Sequence, residues 1–273
     1  MTAYAYRSGL DLLRRRSNAR TETARAVAGE WRISMTRAQG VHVVDFGTGD
    51  GDLLAAVLTK AGTPREAVIE IVERDRQLAE AARSVLMSAG YTTALANDSR
   101  DEPDGFLRES SYGTVTHLLA ANVVHYLPDR LAWVASLRPL LTPNAVLTVV
   151  MRSAMCETRL LADIVRKTEG RSRAPSDQAI SEILTAQRFT ISRRTVPSLF
   201  TIPVEGDWSF SAAMTDPEDE LAMFVRWMLS VPAGSPVPAA ALTHIEDFLA
   251  ARIVDGRLTL CMESIVLTAR MGD

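Results

Sequence analysis

Lysine is nearly missing from this chain. Of its 273 residues only Lys60 and Lys167 are lysines, and the other basic residues are arginines. That bias reads as the mark of a high-GC, bacterial genome and carries no functional meaning. Neither charge is in excess: 30 basic residues face 33 acidic ones, for a net charge of −3. The balance excludes the broad positive footprint by which proteins grip DNA or RNA. The Arg14-Arg15-Arg16 run reads as a solvated face. Cysteine is scarce too. Cys156 and Cys261 have no metal-ligand spacing, and two cysteines make no disulfide scaffold. No apolar run reaches membrane-spanning length and no signal peptide opens the chain, so a cytoplasmic protein without a membrane partner is expected. Apolar residues, by contrast, are plentiful. At 47% of this length they suffice for one large α/β domain with an elaborated end.

The chain is organised around residues 42 to 54. Val43 and Val44 are β-branched and suit a strand buried on both faces. Asp45 ends that strand, and Gly47, Thr48, Gly49, Asp50 and Gly51 follow as a tight turn. Leu53, Leu54, Val57 and Leu58 then recur at helical spacing. A glycine turn between strand and helix lets a ligand lie on bare backbone, with free helix N–H groups pointing at it. A dinucleotide fingerprint needs G-x-G-x-x-G, but position 52 is Asp. Asp50 and Asp52 would repel a pyrophosphate. A ligand with a positive centre and no phosphate fits better.

Further signals follow in order. Val68 to Arg74 reads as a second strand, with Glu73 at its carboxyl end, 22 positions after Gly51 (73 − 51). A carboxylate there can accept both hydroxyl protons of a ribose. A short third strand over 91 to 99 ends in Asn97, Asp98 and Ser99. The fourth covers 114 to 123 and runs into Val124, His125, Tyr126, Leu127, Pro128 and Asp129. Pro128 and Asp129 start a helix. Pro143-Asn144 makes a turn before a fifth strand over 145 to 151. Taken together, the glycine turn, Glu73, Asp98, Asn122 to Asp129 and Pro143-Asn144 resemble the class I S-adenosylmethionine-dependent methyltransferases of the small-molecule type. Thr114 or Thr116 stands where that pattern usually has Asp.

The resemblance implies a Rossmann-like, seven-stranded, mostly parallel sheet with helices on both faces and an inserted helical cap between the last two strands. It divides the chain into an N-terminal helical lid (1–40), a cofactor-binding core (41–197), an acceptor-binding insertion (198–257) and a last core strand (258–273). The sixth strand is expected at 189 to 192 and the seventh at 258 to 267, as an antiparallel pair. The resemblance also implies S-adenosylmethionine as cofactor, held by Asp45, Gly47, Thr48, Gly49, Gly51, Glu73, Arg74, Asp98, Ser99 and Asn122. The acceptor is then a small molecule methylated on oxygen or nitrogen, from specialised biosynthesis. His125 is the candidate general base, because it follows the fourth strand. Tyr4, Tyr6, Tyr126, Trp208, Phe210, Phe224 and Trp227 are candidate acceptor contacts, although each aromatic could equally serve core packing. His117 reads as structural. Asn122 is followed by Val-Val and not by Pro-Pro-Tyr or Pro-Pro-Phe, which disfavours adenine and glutamine-amide methylation. No Pro-Cys nucleophile exists for carbon-5 pyrimidine methylation. No metal is expected, and a homodimer is left open. Two rival readings remain: a non-catalytic binding or regulatory module of the same fold, and an NAD(P)-linked oxidoreductase.

Overall fold

The computed structural model describes residues 3–35, 40–95, 113–168, 175–204, 210, 214, 216, 219–228 and 239–271. The chain divides into two compact units. One comprises 21–151, 175–196 and 265–273, and the other comprises 1–20, 152–174 and 197–264.

The larger unit is built on a seven-stranded sheet. Its strands are β1 (His42–Phe46), β2 (Val68–Val72), β3 (Thr93–Leu95), β4 (Val115–Ala121), β5 (Leu141–Arg152), β6 (Phe189–Val196) and β10 (Ser264–Met271), in spatial order β3-β2-β1-β4-β5-β10-β6. The pairs β1–β2, β1–β4, β2–β3 and β4–β5 are parallel. Each parallel step needs a crossover, and the helices that make the crossovers cover both faces. On one side α2 (Ala19–Met35), α3 (Asp52–Ala61) and α4 (Arg76–Ser88) bury Ala24, Val27, Trp31, Leu54, Leu58 and Leu86 against Val43, Ile69, Leu119 and Val146. On the other, α5 (Arg130–Leu137) and α7 (Asp177–Ala186) bury Trp133, Val134, Leu137, Ile180 and Leu184 against Val44, Leu118 and Leu147. Neighbours along a strand thus enter different cores, as the period of two requires in a sheet buried on both faces.

The expected fold class is the observed one, with differences in detail. Residues 1 to 40 are not one lid. The helix α2 is a core helix, because its apolar stripe ends in Trp31, which is fully buried and donates its indole N–H to the Thr148 hydroxyl at 2.9 Å. Pro143-Asn144 is not a turn ahead of β5 but a bulge inside it. Between Val115↔Leu141 and His117↔Val146, β4 advances two residues (117 − 115) and β5 five (146 − 141). The strand expected over 258–267 is two strands: Leu258 to Cys261 belong to β9 (Arg257–Cys261), and only β10 joins the large sheet.

The smaller unit combines α1 (Ala3–Arg16), α6 (Glu157–Thr168), α8 (Glu220–Met228) and α9 (Ala239–Ala250) with a three-stranded sheet, β7-β9-β8. In that sheet β7 (Leu199–Pro203) and β8 (Ile253–Val254) flank β9, both antiparallel to it. Its core gathers Leu12, Leu161, Phe200, Phe224, Ile245 and Leu260. The helix α1 is part of this core. Gly9 has no Cβ because the Trp227 ring lies where one would stand, with Cγ only 2.0 Å away. Arg16 donates to Glu220 at 2.8 Å.

A buried polar chain ties α2 to the large sheet. His117 Nε2 meets the Ser34 hydroxyl at 2.8 Å, His117 Nδ1 meets the Thr116 hydroxyl at 2.9 Å, and the imidazole lies 5.0 Å from the Trp31 ring. Burial, aided by the charge of Arg270, lowers the His117 pKa from 6.5 to about 4. The folded state therefore holds His117 neutral while the unfolded chain protonates first as the pH falls. Its contribution is complete above about pH 6.5 and is lost towards pH 4. We expect the stability advantage of wild type over His117→Gln in urea titrations to shrink by roughly 3 kcal/mol from pH 7 to pH 4. A pH-independent difference would show that His117 is not held neutral by burial.

Candidate functional site

The order β3-β2-β1-β4 places β1 beside two strands whose connections leave in opposite directions. Open α/β sheets bind ligands at the carboxyl ends of strands at such a switch point. Here those ends carry the glycine turn after β1, Glu73 after β2 and Asn122 after β4.

The glycine turn is held from three sides. The Gly47 and Thr48 N–H groups donate to the Val72 carbonyl at 2.8 and 3.3 Å, which latches the turn to the end of β2. The Thr48 hydroxyl donates to Asp45 Oδ2 at 2.6 Å. The Gly49 N–H donates to Glu73 Oε2 at 3.0 Å. Gly47, Gly49 and Gly51 all have positive φ, at 72°, 59° and 79°. Their surroundings distinguish them. A Cβ on Gly47 would stand 2.6 Å from a methyl of Val123, and one on Gly51 would stand 2.7 Å from the backbone of Ala82 in α4. These two glycines allow the chain to pack. Around Gly49, a Cβ would meet nothing within 4 Å. That glycine borders open space, as a residue against which a ligand rests should.

Glu73 plays a second part that its spacing did not disclose. Besides the bond from Gly49, its Oε1 accepts the Asp75 N–H at 3.0 Å. Each oxygen keeps a lone pair, so hydroxyl donors can still be received. Asp75 in turn caps α4, accepting from the Gln77 and Leu78 N–H groups at 2.9 and 3.2 Å. The Asp-x-x pattern ahead of Leu78 was the available signal for that cap. Arg74, between the two carboxylates, is exposed.

Electrostatics in the turn are dominated by carboxylates. Asp45 is 3% exposed. Burial pushes its pKa up from 3.8 to about 7, the Glu73 and Asp50 charges push the same way, and the Thr48 bond opposes them. Burial also raises Glu73, with the Asp75 charge adding. The backbone bonds from Asp75 and Gly49 and the charge of Arg74 oppose that rise.

After β4 the backbone turns sharply. Asn122 has φ 55°, its N–H donates to the Val150 carbonyl at 2.8 Å, and its side chain is exposed. Asn tolerates the left-handed region better than most residues, and such strain concentrates at functional sites. Val123 then packs on Gly47, so the two turns support one another. His125 and Tyr126 lie in a short 3-10 turn, Val124–Tyr126, with ring centroids 3.9 Å apart. Tyr126 is 68% exposed. Asp129 caps α5 by accepting the Ala132 N–H at 2.8 Å.

The structure thus brings together Asp45, Gly47, Thr48, Gly49, Gly51, Glu73 and Arg74 within one turn and strand end, with Val123 joining the Asn122–Tyr126 segment to that turn. Asp98, Ser99 and Trp208 lie outside the described residues, as do the side chains of Tyr4 and Tyr6, which fall within α1. Phe210 and Phe224, expected as acceptor contacts, are packed into the core of the smaller unit, at 2% and 1% exposure. Phe224 stacks on Phe200 at 4.4 Å, and the partly buried Trp227 lies 6.5 Å from Phe224. Sequence alone could not separate a pocket aromatic from a core one, because both need the same helical spacing. Among the described residues no group of three or more His, Cys, Asp or Glu side chains could hold a metal ion. No helix described is long and apolar enough to cross a membrane.

No family profile matches the chain, and no curated protein matches it. Solved structures do. A candidate methyltransferase from Bacillus halodurans C-125 is 14% identical, with 90% of this chain and 100% of that one covered and a TM-score of 0.56. A candidate sarcosine dimethylglycine methyltransferase from Galdieria sulphuraria is 13% identical, with 91% and 85% covered and a TM-score of 0.52. The plantazolicin methyltransferase BpumL, solved in complex with SAH, is 9% identical, with 97% and 90% covered and a TM-score of 0.52. BpumL is also known with SAH and a triazolic desmethyl analogue, at a TM-score of 0.50. At these identities the likeness is one of fold: the chain has the Rossmann-like fold of these methyltransferases.

Proposed function

We propose that this protein is a methyltransferase that uses S-adenosylmethionine and methylates an oxygen or nitrogen atom of a small molecule, an intermediate of specialised biosynthesis. The observation that carries this reading is the open space bordered by Gly49, whose N–H is held by the Glu73 carboxylate, at the switch point of the sheet. It suits a ligand that is cationic, bears a ribose and lacks phosphate. The solved neighbour with bound SAH, the demethylated cofactor, supports the same ligand. Its complex with a desmethyl analogue supports a small-molecule acceptor.

S-adenosylmethionine supplies, when bound, a methyl group on a sulfonium that a nucleophile can take in line. The chain's part is to hold, orient and exclude water. Gly47, Thr48, Gly49 and Gly51 offer backbone to the methionine portion, and Asp45 and Asn122 lend polarity there. Glu73, aided by Arg74, receives the ribose hydroxyls on its remaining lone pairs. Asp98 and Ser99 take the adenine. His125 accepts the proton of an acceptor hydroxyl or amine, and the exposed Tyr126 ring meets the acceptor. We do not carry that role to Phe210 and Phe224, whose rings are core. Of the rivals, an NAD(P)-linked oxidoreductase would bring a pyrophosphate among Asp45, Asp50 and Asp52. A non-catalytic module would bind S-adenosylmethionine without turnover.

Calorimetry with S-adenosylmethionine and NAD(P) tests the reading, and methyl-labelled S-adenosylmethionine in cell extract tests turnover. Binding of the first ligand alone is expected, and binding of the dinucleotide alone would overturn the proposal. Gly49→Val should abolish S-adenosylmethionine binding with the circular dichroism spectrum intact, since its side chain enters open space. Gly51→Ala should instead lower the melting temperature, because its Cβ meets α4 backbone at a cost of about 1–3 kcal/mol. Glu73→Ala should weaken S-adenosylmethionine by about 1.5–3 kcal/mol, and a 2′-deoxy analogue by less. Equal losses for the two ligands would remove Glu73 from the ribose site.

A further inference from the structure

The N–H groups of the glycine turn are fixed in two ways. Those of Gly47 and Thr48 donate to the Val72 carbonyl at 2.8 and 3.3 Å, and that of Gly51 donates to the Thr48 carbonyl at 3.1 Å. These bonds run from backbone to backbone and owe nothing to a ligand. The Gly49 N–H is held by a side chain instead, at 3.0 Å from Glu73 Oε2. Gly49 is also where a Cβ would meet nothing within 4 Å, at a φ of 59°. Nothing packs on that side of it, and a residue without a β-carbon has the widest choice of backbone conformations. Its place in the turn leans on Glu73. The other oxygen of that carboxylate, Oε1, accepts the Asp75 N–H at 3.0 Å, and the Asp75 side chain caps α4 through the Gln77 and Leu78 N–H groups. Glu73 is thus anchored at the start of α4 on one side and holds Gly49 on the other. Each oxygen keeps a lone pair. A pair of ribose hydroxyls would engage the same two oxygens that fix the turn.

We propose that Glu73 couples the two ends of the adenosyl ligand: the carboxylate that grips the ribose also holds the Gly49 N–H, so ribose binding orders the backbone on which the amino-acid tail rests, and nucleoside and tail bind cooperatively. The inference rests on the cofactor reading above. It makes Glu73 a positioning residue towards a part of the ligand that it does not touch, acting through Gly49. A carboxylate that receives two further hydroxyl donors is pinned, because hydrogen bonds to a charged acceptor are stronger than those between neutral groups. The tail then meets a turn that the ribose has already ordered, and it loses less freedom on docking. Linkage makes the effect reciprocal: the tail, by ordering Gly49, strengthens the ribose contact by the same factor. A carboxylate that served the ribose alone would leave the contribution of the tail unchanged.

The test is a cycle of ligand and variant, read by calorimetry on the full chain. The ligands are S-adenosylhomocysteine and 5′-methylthioadenosine, which keeps the adenine, the ribose and the sulfur but lacks the amino-acid tail. The factor by which S-adenosylhomocysteine binds more tightly measures the tail. We expect Glu73→Ala to weaken both ligands and to lower that factor by about three- to tenfold, the loss expected for one hydrogen bond. Weakening of the two ligands by one common factor would overturn the inference and leave the cofactor reading intact. Failure of both to bind the wild-type chain would overturn that reading as well. Amide hydrogen exchange followed by NMR gives a second readout on wild type alone, should Glu73→Ala lose its fold. 5′-Methylthioadenosine should slow exchange at Gly49 by about three- to tenfold, and its 2′-deoxy form clearly less, although neither carries the tail that rests there. Exchange at Gly49 that ignores 5′-methylthioadenosine, or that both nucleosides slow equally, would also overturn the inference.

Discussion

A carboxylate that cannot reach water sets the terms for this structure. Asp45, next to last in β1, is 3% exposed, and its pKa is raised from 3.8 to about 7, equivalent to roughly 4 kcal/mol against its ionised form. The folded state keeps a proton there that the unfolded chain gives up, so this group's contribution to stability falls as pH rises from about 4 to about 7. His117 works in the opposite direction across much of the same range. One group belongs to the ligand end of the sheet and the other to the helix–sheet packing, and the stability of the larger unit near neutrality reflects both.

The turn is more than a gap for a ligand. Gly47 yields to Val123, Gly51 yields to α4, and Gly49 alone faces open space. The Gly49 N–H is in turn fixed by Glu73, which also holds the Asp75 N–H ahead of α4. The carboxylate proposed to bind ribose is thus also a strut of the turn. A change at Glu73 acts on the geometry of the glycines as well as on any hydroxyl it receives, so stability and affinity must be measured on the same variant.

The smaller unit obeys a different logic. Its core draws Leu12 from α1, Leu161 from α6, Phe224 from α8, and Phe200 and Leu260 from the three-stranded sheet. These come from three separate stretches of the chain. None can bury its apolar face alone, and together they can. Phe210 and Phe224, which seemed available for an acceptor, are committed to that task, whereas Tyr126, on the larger unit, is 68% exposed.

Local patterns determined the doubly wound core. The β-branched pair Val43-Val44, the glycines at 47, 49 and 51, Glu73 at a strand end and Pro128-Asp129 ahead of α5 each act within a few residues, so they can be read in order along the chain. Tertiary structure alone decided three things. Whether Phe224 packs or binds depends on partners in sequence as distant as Leu12 and Phe200. Whether residues 258–267 form one strand or two depends on where β7 pairs, because β9 takes its hydrogen bonds from Leu199–Pro203 and β10 takes its place in the other sheet. The state of Asp45 depends on burial and on Glu73 and Asp50 arriving beside it. Dihedral preference and apolar spacing are local and legible, whereas burial and the neighbours of a charge are properties of the folded chain.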